Sequence, residues 1–182
     1  MHIHPFDTFH YCPKCGGKFE ANNEKSYHCL QCGFVYYFNP SAATVAVIIN
    51  ERDELLVCRR AKEPAKGTLD LPGGFCDMYE TAEEGVVREV REETGCEVTD
   101  TKYLFTLPNT YLYSDFLVHT IDLFFVCHID KDAQLDAHDD AAECMWIPIR
   151  AVDPKAFGLT SVRRGVERIL ELETLHRKPQ TT

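Results

Sequence analysis

The stretch Gly74-Phe75-Cys76-Asp77-Met78-Tyr79-Glu80-Thr81-Ala82-Glu83-Glu84-Gly85-Val86-Val87-Arg88-Glu89-Val90-Arg91-Glu92-Glu93-Thr94-Gly95-Cys96 is a glycine-bearing loop running into an acidic helix. Thr81 followed three residues later by Glu84 makes a capping box, and Gly95 supplies a left-handed stop, so the spacing predicts a helix over 82–94. At 100° per residue Val86, Val87 and Val90 share one side. Glu89, Glu92 and Glu93 gather on another, with only the small residues Ala82 and Gly85 near them. Glu89 and Glu93 form a like-charge i,i+4 pair costing roughly 0.2–0.5 kcal/mol, and a helical Gly85 costs about 1 kcal/mol relative to Ala. A hard divalent cation offsets such repulsion, because it takes carboxylate oxygens and then holds substrate phosphates. Taken alone, three glutamates are more often a solvated face.

The full constellation decides between the two readings. Gly74, Glu80 and the run Arg88-Glu89-Val90-Arg91-Glu92-Glu93-Thr94-Gly95-Cys96 resemble the motif of the Nudix hydrolases at each defining position. The resemblance implies metal-dependent hydrolysis of a nucleoside diphosphate derivative, with Mg²⁺ or Mn²⁺ held mainly by Glu89, Glu92 and Glu93 and with Gly74 at the metal site. It also implies that Arg88 braces the carboxylates and that Glu80 supports them. Glu89 is left open as ligand or as base. A further ligand or base is expected from outside the helix, with Glu143 and Asp140 as candidates against the simpler reading of an exposed strand residue and an acidic turn.

Upstream, Cys12-Pro13-Lys14-Cys15-Gly16 and Cys29-Leu30-Gln31-Cys32-Gly33 are two Cys-x-x-Cys knuckles. Their spacing predicts a tetrahedral four-thiolate Zn²⁺ site. Such a site is closed to water, so the metal is expected to be structural, holding a segment too small to fold on its own core. Residues 1–38 are read as this zinc ribbon and 39–182 as the second domain, with the break at Asn39-Pro40-Ser41. Tyr27, Phe34, Tyr36, Tyr37 and Phe38 could stack on bases, but they also suit a miniature core. Lys14, Lys18 and Lys25 cancel Asp7, Glu20 and Glu24, so the ribbon has no basic footprint.

The 182 residues, 45% apolar and 26% charged, suit one full core plus a small appendage. No apolar run approaches the ~20 residues that span a bilayer, and the start lacks a signal-peptide pattern, which gives a cytoplasmic reading with no membrane partner. Nine cysteines are odd in number, and Cys58, Cys76, Cys96, Cys127 and Cys144 are scattered singly, unlike a disulfide framework. A net charge of −10 disfavours nucleic acid as a partner and requires local cations to meet an anionic substrate.

Strands are expected over 42–49, 55–60, 68–71, 98–106, 117–129 and 144–149, the first two as a hairpin, and an amphipathic helix over 160–175. Its inward residues would be Val162, Val166, Ile169, Leu170 and Leu172 or Leu175; residues 178–182 read as a frayed tail. Arg59 and Arg60 point to opposite faces, and one could reach a substrate phosphate. The loop expected at 107–115 carries Tyr111 and Tyr113, which could cover a nucleobase or pack the loop down. These elements make an α/β domain, which the resemblance sharpens to a mixed sheet sandwiched between helices, an α/β/α sandwich.

A ribbon ahead of such a domain is similar to the NADH pyrophosphatase branch, although 107–113 here lacks that branch's Ser-Gln-Pro-Trp-Pro-Phe-Pro run. Leu69 and Tyr79 stand where related enzymes often carry Trp and Gly. The implied substrates are ADP-ribose or an NADH-like dinucleotide, cleaved at the pyrophosphate, with a nucleoside triphosphate as runner-up. The chain as a homodimer is left open. A binding module with a vestigial catalytic domain is the rival class, weighed down by the intact glutamates and the neutral ribbon.

Overall fold

The computed structural model describes residues 8–113, 115–130, 133–136 and 141–176, without the side chains of Tyr111 and 173–176. Asp140, the tail at 178–182 and the side chains of Tyr111 and Leu175 therefore lie outside the described residues.

In the ribbon, β1 (Phe19–Asn23), β2 (Ser26–Cys29) and β3 (Val35–Tyr37) form an antiparallel sheet. Gly16 and Gly33, at φ +74° and +70°, close the two knuckles by donating their N–H groups to the carbonyls of Cys12 and Cys29. Phe19, Tyr27 and Phe34 pack beside Cys12 and Cys29, so part of the aromatic set is the ribbon's own core. Tyr36 and Tyr37 are exposed. Phe9 meets Phe38 at 5.1 Å and Phe116 at 5.8 Å between ring centroids, linking the ribbon to the larger domain.

The larger domain is layered by strict alternation. In β4 (Ser41–Val47), Val45 and Val47 enter one core with Phe124 and with Val162, Val166 and Ile169 of α2 (Thr160–His176). Ala46 and Ile48 enter a second core with Phe125 and with Val86 and Val90 of α1 (Ala82–Thr94). Consecutive residues of a strand face opposite ways, so the Phe124-Phe125 pair serves both helices from one strand. Each such fully buried side chain stabilises the fold by roughly 1.5–3 kcal/mol. A Cβ on Gly165 would lie 2.3 Å from the Phe124 ring, so glycine there lets α2 seat on the sheet. Of the two alternatives at the end of the inward stripe, Leu172 is exposed, and the side chain of Leu175 lies outside the described residues.

β4 runs parallel to β8 (Phe116–Ile129), which runs antiparallel to β7 (Val98–Tyr113), giving the mixed sheet expected. A second sheet orders β6 (Leu69–Asp70), β5 (Glu54–Arg60) and β9 (Ala141–Pro148). The expected hairpin over 42–60 exists only at its tip, where Ile49 and Leu55 bridge. Beyond it β4 has no free edge: β8 takes one side, and the loop at 72–76 takes the other through bonds of Thr44 N–H to the Gly74 carbonyl and Ala46 N–H to the Pro72 carbonyl. β5 accordingly pairs with β6 and β9.

The loop expected at 107–115 is likewise strand through Tyr113, in register with β8 down to Tyr113 opposite Phe116. Pro108 carries a local turn signal that the pairing with β8 overrides. It is accommodated because β7 is the outer strand of its sheet, where a missing N–H breaks no inner ladder.

Candidate active site

The helix forms where the sequence places it. The Thr81 hydroxyl accepts from Glu84 N–H at 3.2 Å, the Glu84 carboxylate accepts from Thr81 N–H at 2.7 Å, and Gly95 closes the helix at φ +70°. Val86 and Val90 fix its rotation against the second core, which turns the glutamates toward the 72–77 loop.

Arg88 organises the acids. Its guanidinium grips Glu80 with Nη2 and Nε at 2.7 and 3.1 Å, and Nη1 donates to Glu89 at 2.8 Å and to Glu92 at 3.0 Å. Nη2 also donates to the Phe75 carbonyl at 3.0 Å, tying the loop to the helix. Arg88, with Asp77 N–H second, holds the Glu80 carboxyl below its ordinary range. Gly85 is explained by the same contact: a Cβ there would lie 3.0 Å from Glu80 Oε1, so the small residue makes room for an internal carboxylate. Arg88→Ala should leave the partly buried Glu80 and Glu89, and the exposed Glu92, without their cation, costing about 2 kcal/mol of stability and lowering turnover. Urea unfolding and steady-state rates on the same preparation check both; a variant as stable and active as wild type would show that the bracing is ornamental.

Glu93 stands apart from Arg88. It is buried, and the Gly73 N–H donates to its Oε2 at 3.1 Å. Burial pushes its carboxyl up to about 9, with Asp70 and Glu89 nearby adding to the rise and the Gly73 bond opposing it. Gly73 is required twice over, since φ is +148° and a Cβ would lie 2.1 Å from the Thr44 carbonyl oxygen. A Cβ on Gly74 would lie 2.7 Å from Glu89 Oε1, so glycine permits the close approach of loop and carboxylate. The Gly74 carbonyl accepts from Thr44 and keeps one lone pair.

A cavity of about 450 Å³ opens beside Glu93, Gly73 and Gly74. Of the two arginines, Arg60 lines it, with Nη1 2.6 Å from Asp70 Oδ2. Arg59 turns away, to the Gly67 carbonyl at 2.9 Å and to Glu143 at 3.4 Å. Glu143 is thus exposed and paired with Arg59, and neither is among the cavity's lining residues. Tyr113 is on the cavity wall and well exposed.

Three further residues line this cavity that local sequence patterning does not mark as site residues: Asp70, Asp122 and Asn109. Asp70 is pushed up by burial, opposed by Arg60. Asp122 accepts from the hydroxyls of Thr120 and Ser161. An acid inside the apolar run Thr120-Ile121-Asp122-Leu123-Phe124 was the available signal.

In the ribbon, the Sγ atoms of Cys12, Cys15, Cys29 and Cys32 all lie within 4.8 Å of one another. A tetrahedron of thiolates at 2.3 Å from a metal has edges of about 3.8 Å; the contacts of 3.8 Å for Cys12–Cys32 and 3.5 Å for Cys15–Cys29 fit it. The Cys32 N–H aimed at the Cys29 sulfur leads the effects that pull this thiol down to about 6, favouring the thiolate a soft metal takes. The donor set suits metal binding.

Comparison with known proteins agrees with this geometry. A chain named NAD-capped RNA hydrolase NudC from Vibrio vulnificus is 26% identical over 168 residues, 92% of this chain and 61% of that one. This chain therefore spans about three fifths of that relative. An ADP-ribose pyrophosphatase from Methanocaldococcus jannaschii is 34% identical over 123 residues, covering 66% of this chain and 69% of that one. Among solved structures, a NUDIX hydrolase from Nitrosomonas europaea superposes with a TM-score of 0.71 at 21% identity, covering 93% of this chain and 94% of that one. The model of the NUDIX domain matches residues 39–167, and with the capped helix and its arginine-bound acids in place the chain belongs to the NUDIX family.

Proposed function

We propose that this protein hydrolyses the pyrophosphate linkage of a nucleoside diphosphate derivative, ADP-ribose or a dinucleotide, with Mg²⁺ or Mn²⁺ held by Glu89, Glu92 and Glu93 near the Gly74 carbonyl. The observation that carries this reading is the Arg88 cluster: one guanidinium fixes Glu80, Glu89 and Glu92 while Glu93 sits beside the cavity. One relative is named a hydrolase of NAD-capped RNA and the other an ADP-ribose pyrophosphatase, which supports the choice of substrate class.

The metal, when bound, neutralises phosphate oxygens and lowers the pKa of an attacking water. The protein supplies the rest. Arg88 holds Glu89 and Glu92 in place, Glu89 serves as ligand or as acceptor of the water's proton, and Glu93 ionises as it meets a cation. Arg60, in a chain of net charge −10, is the cation placed to meet a substrate phosphate in the cavity, and Tyr113 offers a ring to a base at its wall. Residues 1–38 form a ribbon closed by structural Zn²⁺, and 39–182 the catalytic domain.

The test is a panel of ADP-ribose, dinucleotides and nucleoside triphosphates with Mg²⁺ and, separately, Mn²⁺, followed by chromatography of products. Release of a nucleoside monophosphate from the diphosphate derivatives is expected. Turnover confined to triphosphates, or none with either metal, would overturn the assignment.

A further inference from the structure

Five cysteines outside the ribbon look unrelated in sequence, yet the fold brings two of them together. Cys58 of β5 and Cys144 of β9 are directly opposed in register, and their Sγ atoms are 2.8 Å apart. Among the described residues, Cys76, Cys96 and Cys127 show no such contact with a second sulfur.

The ladder fixes what kind of pair this is. Ile149 N–H donates to the Asp53 carbonyl at 2.8 Å, so Asp53 and Ile149 are a hydrogen-bonded pair. Antiparallel ladders alternate, and the register from there to Cys58 is regular. Cys58 and Cys144 therefore occupy a non-hydrogen-bonded position, where Cα atoms come to about 4.5 Å and side chains are closest. A disulfide asks for Cα separations of about 4.4–6.8 Å, so the bond can close by side-chain rotation with both strands in place.

The two thiols differ in access. Cys58 is 3% exposed, whereas Cys144 is half-buried on the outer strand of its sheet. Cys144 Sγ also lies 3.6 Å from the Glu93 carbonyl oxygen, which places the pair under the last turn of α1.

We infer that Cys58 and Cys144 are an oxidation site that closes to a reversible cross-strand disulfide when the protein meets a hydroperoxide. Cys144, the more accessible, attacks one peroxide oxygen; the O–O bond breaks, hydroxide leaves and is protonated to water, and Cys144 becomes a sulfenic acid. The Cys58 sulfur then attacks the Cys144 sulfur, the S–S bond forms, the S–O bond breaks, and a second water leaves. Two thiols and one hydrogen peroxide give one disulfide and two waters, with two electrons passing from sulfur to peroxide. A dithiol reverses the change by exchange.

The experiment exposes the as-purified full chain to hydrogen peroxide, blocks remaining thiols with iodoacetamide, and digests it with trypsin without reductant. Residues 53–59 and 132–150 form tryptic peptides with one cysteine each, so their product is identified unambiguously. The linked pair of peptides should rise about tenfold over untreated protein and vanish with dithiothreitol. In Cys58→Ser, a dimedone-type probe should capture the sulfenic acid on Cys144. Recovery of both cysteines separately alkylated in the same yield as from untreated protein, or either one joined to a different cysteine, would overturn the inference. So would dimedone labelling of Cys58 in Cys144→Ser without labelling of Cys144 in Cys58→Ser.

Discussion

Replacing Glu93 by Gln is expected to lower kcat by about a thousandfold. In protein stripped of divalent metal, the same change is expected to raise stability at alkaline pH. The two effects have one cause. The carboxylate is buried, has Asp70 and Glu89 as like-charged neighbours, and receives the Gly73 N–H, so metal-free it is a poor place for a negative charge and metal-bound a strong ligand. Its pKa rises from 4.5 to about 9 on folding, chiefly through burial. The folded state thus keeps a proton that the unfolded chain gives up above pH 4.5, and the stabilising contribution is complete below that value and lost as pH climbs through about 9. Each unit of such a difference is worth about 1.36 kcal/mol, so a gap of up to about 6 kcal/mol should open between the two metal-free proteins by pH 9–10. Urea titrations from pH 5 to 10, with and without Mn²⁺, read this directly. A Glu93→Gln protein that turns over near the wild-type rate would remove the helix from the metal site, and parallel stability curves would remove the charge argument.

The second large effect concerns the ribbon. Cys29→Ser should abolish stoichiometric zinc and unfold the segment around β1–β3, since four-thiolate sites in zinc-finger peptides bind with about 10–16 kcal/mol and the ribbon's core beyond its cysteines is chiefly Phe19, Tyr27 and Phe34. The two larger cores, which contain no ribbon residue, should survive, and hydrolysis should stay within about threefold of wild type. Amide exchange over residues 8–38, elemental analysis and turnover of the same sample decide it. An intact ribbon without zinc would mean that aromatic packing suffices. Lost turnover with an intact domain would place the ribbon in substrate binding.

What could be read in advance was what is encoded locally. The cap at Thr81, the stop at Gly95 and the paired knuckles are each set within a few residues, and the structure has them where the spacing predicts. The course of 107–113 was hidden because Pro108 and Asn109 signal a turn, while the pairing that overrides them comes from β8, across the chain. The separate fates of Arg59 and Arg60 follow from strand alternation, but which of them faces the cavity depends on Asp70 and Glu143, brought in from β6 and β9. Asp122 and the Cys58–Cys144 pair depend on register between distant strands, to which periodicity within one segment is blind.

Pro108 on β7 has one more consequence. An outermost strand offers its free backbone groups to any extended chain, including another copy of the same protein, and an unbroken row of donors is what lets sheets grow into fibres. Proline supplies no donor, so a strand laid along β7 loses its footing part-way, beside a stretch where the sheet runs on to Tyr113. Strand addition along this edge is thereby disfavoured, and the long hairpin can end in an outer strand without offering an unbroken template for aggregation.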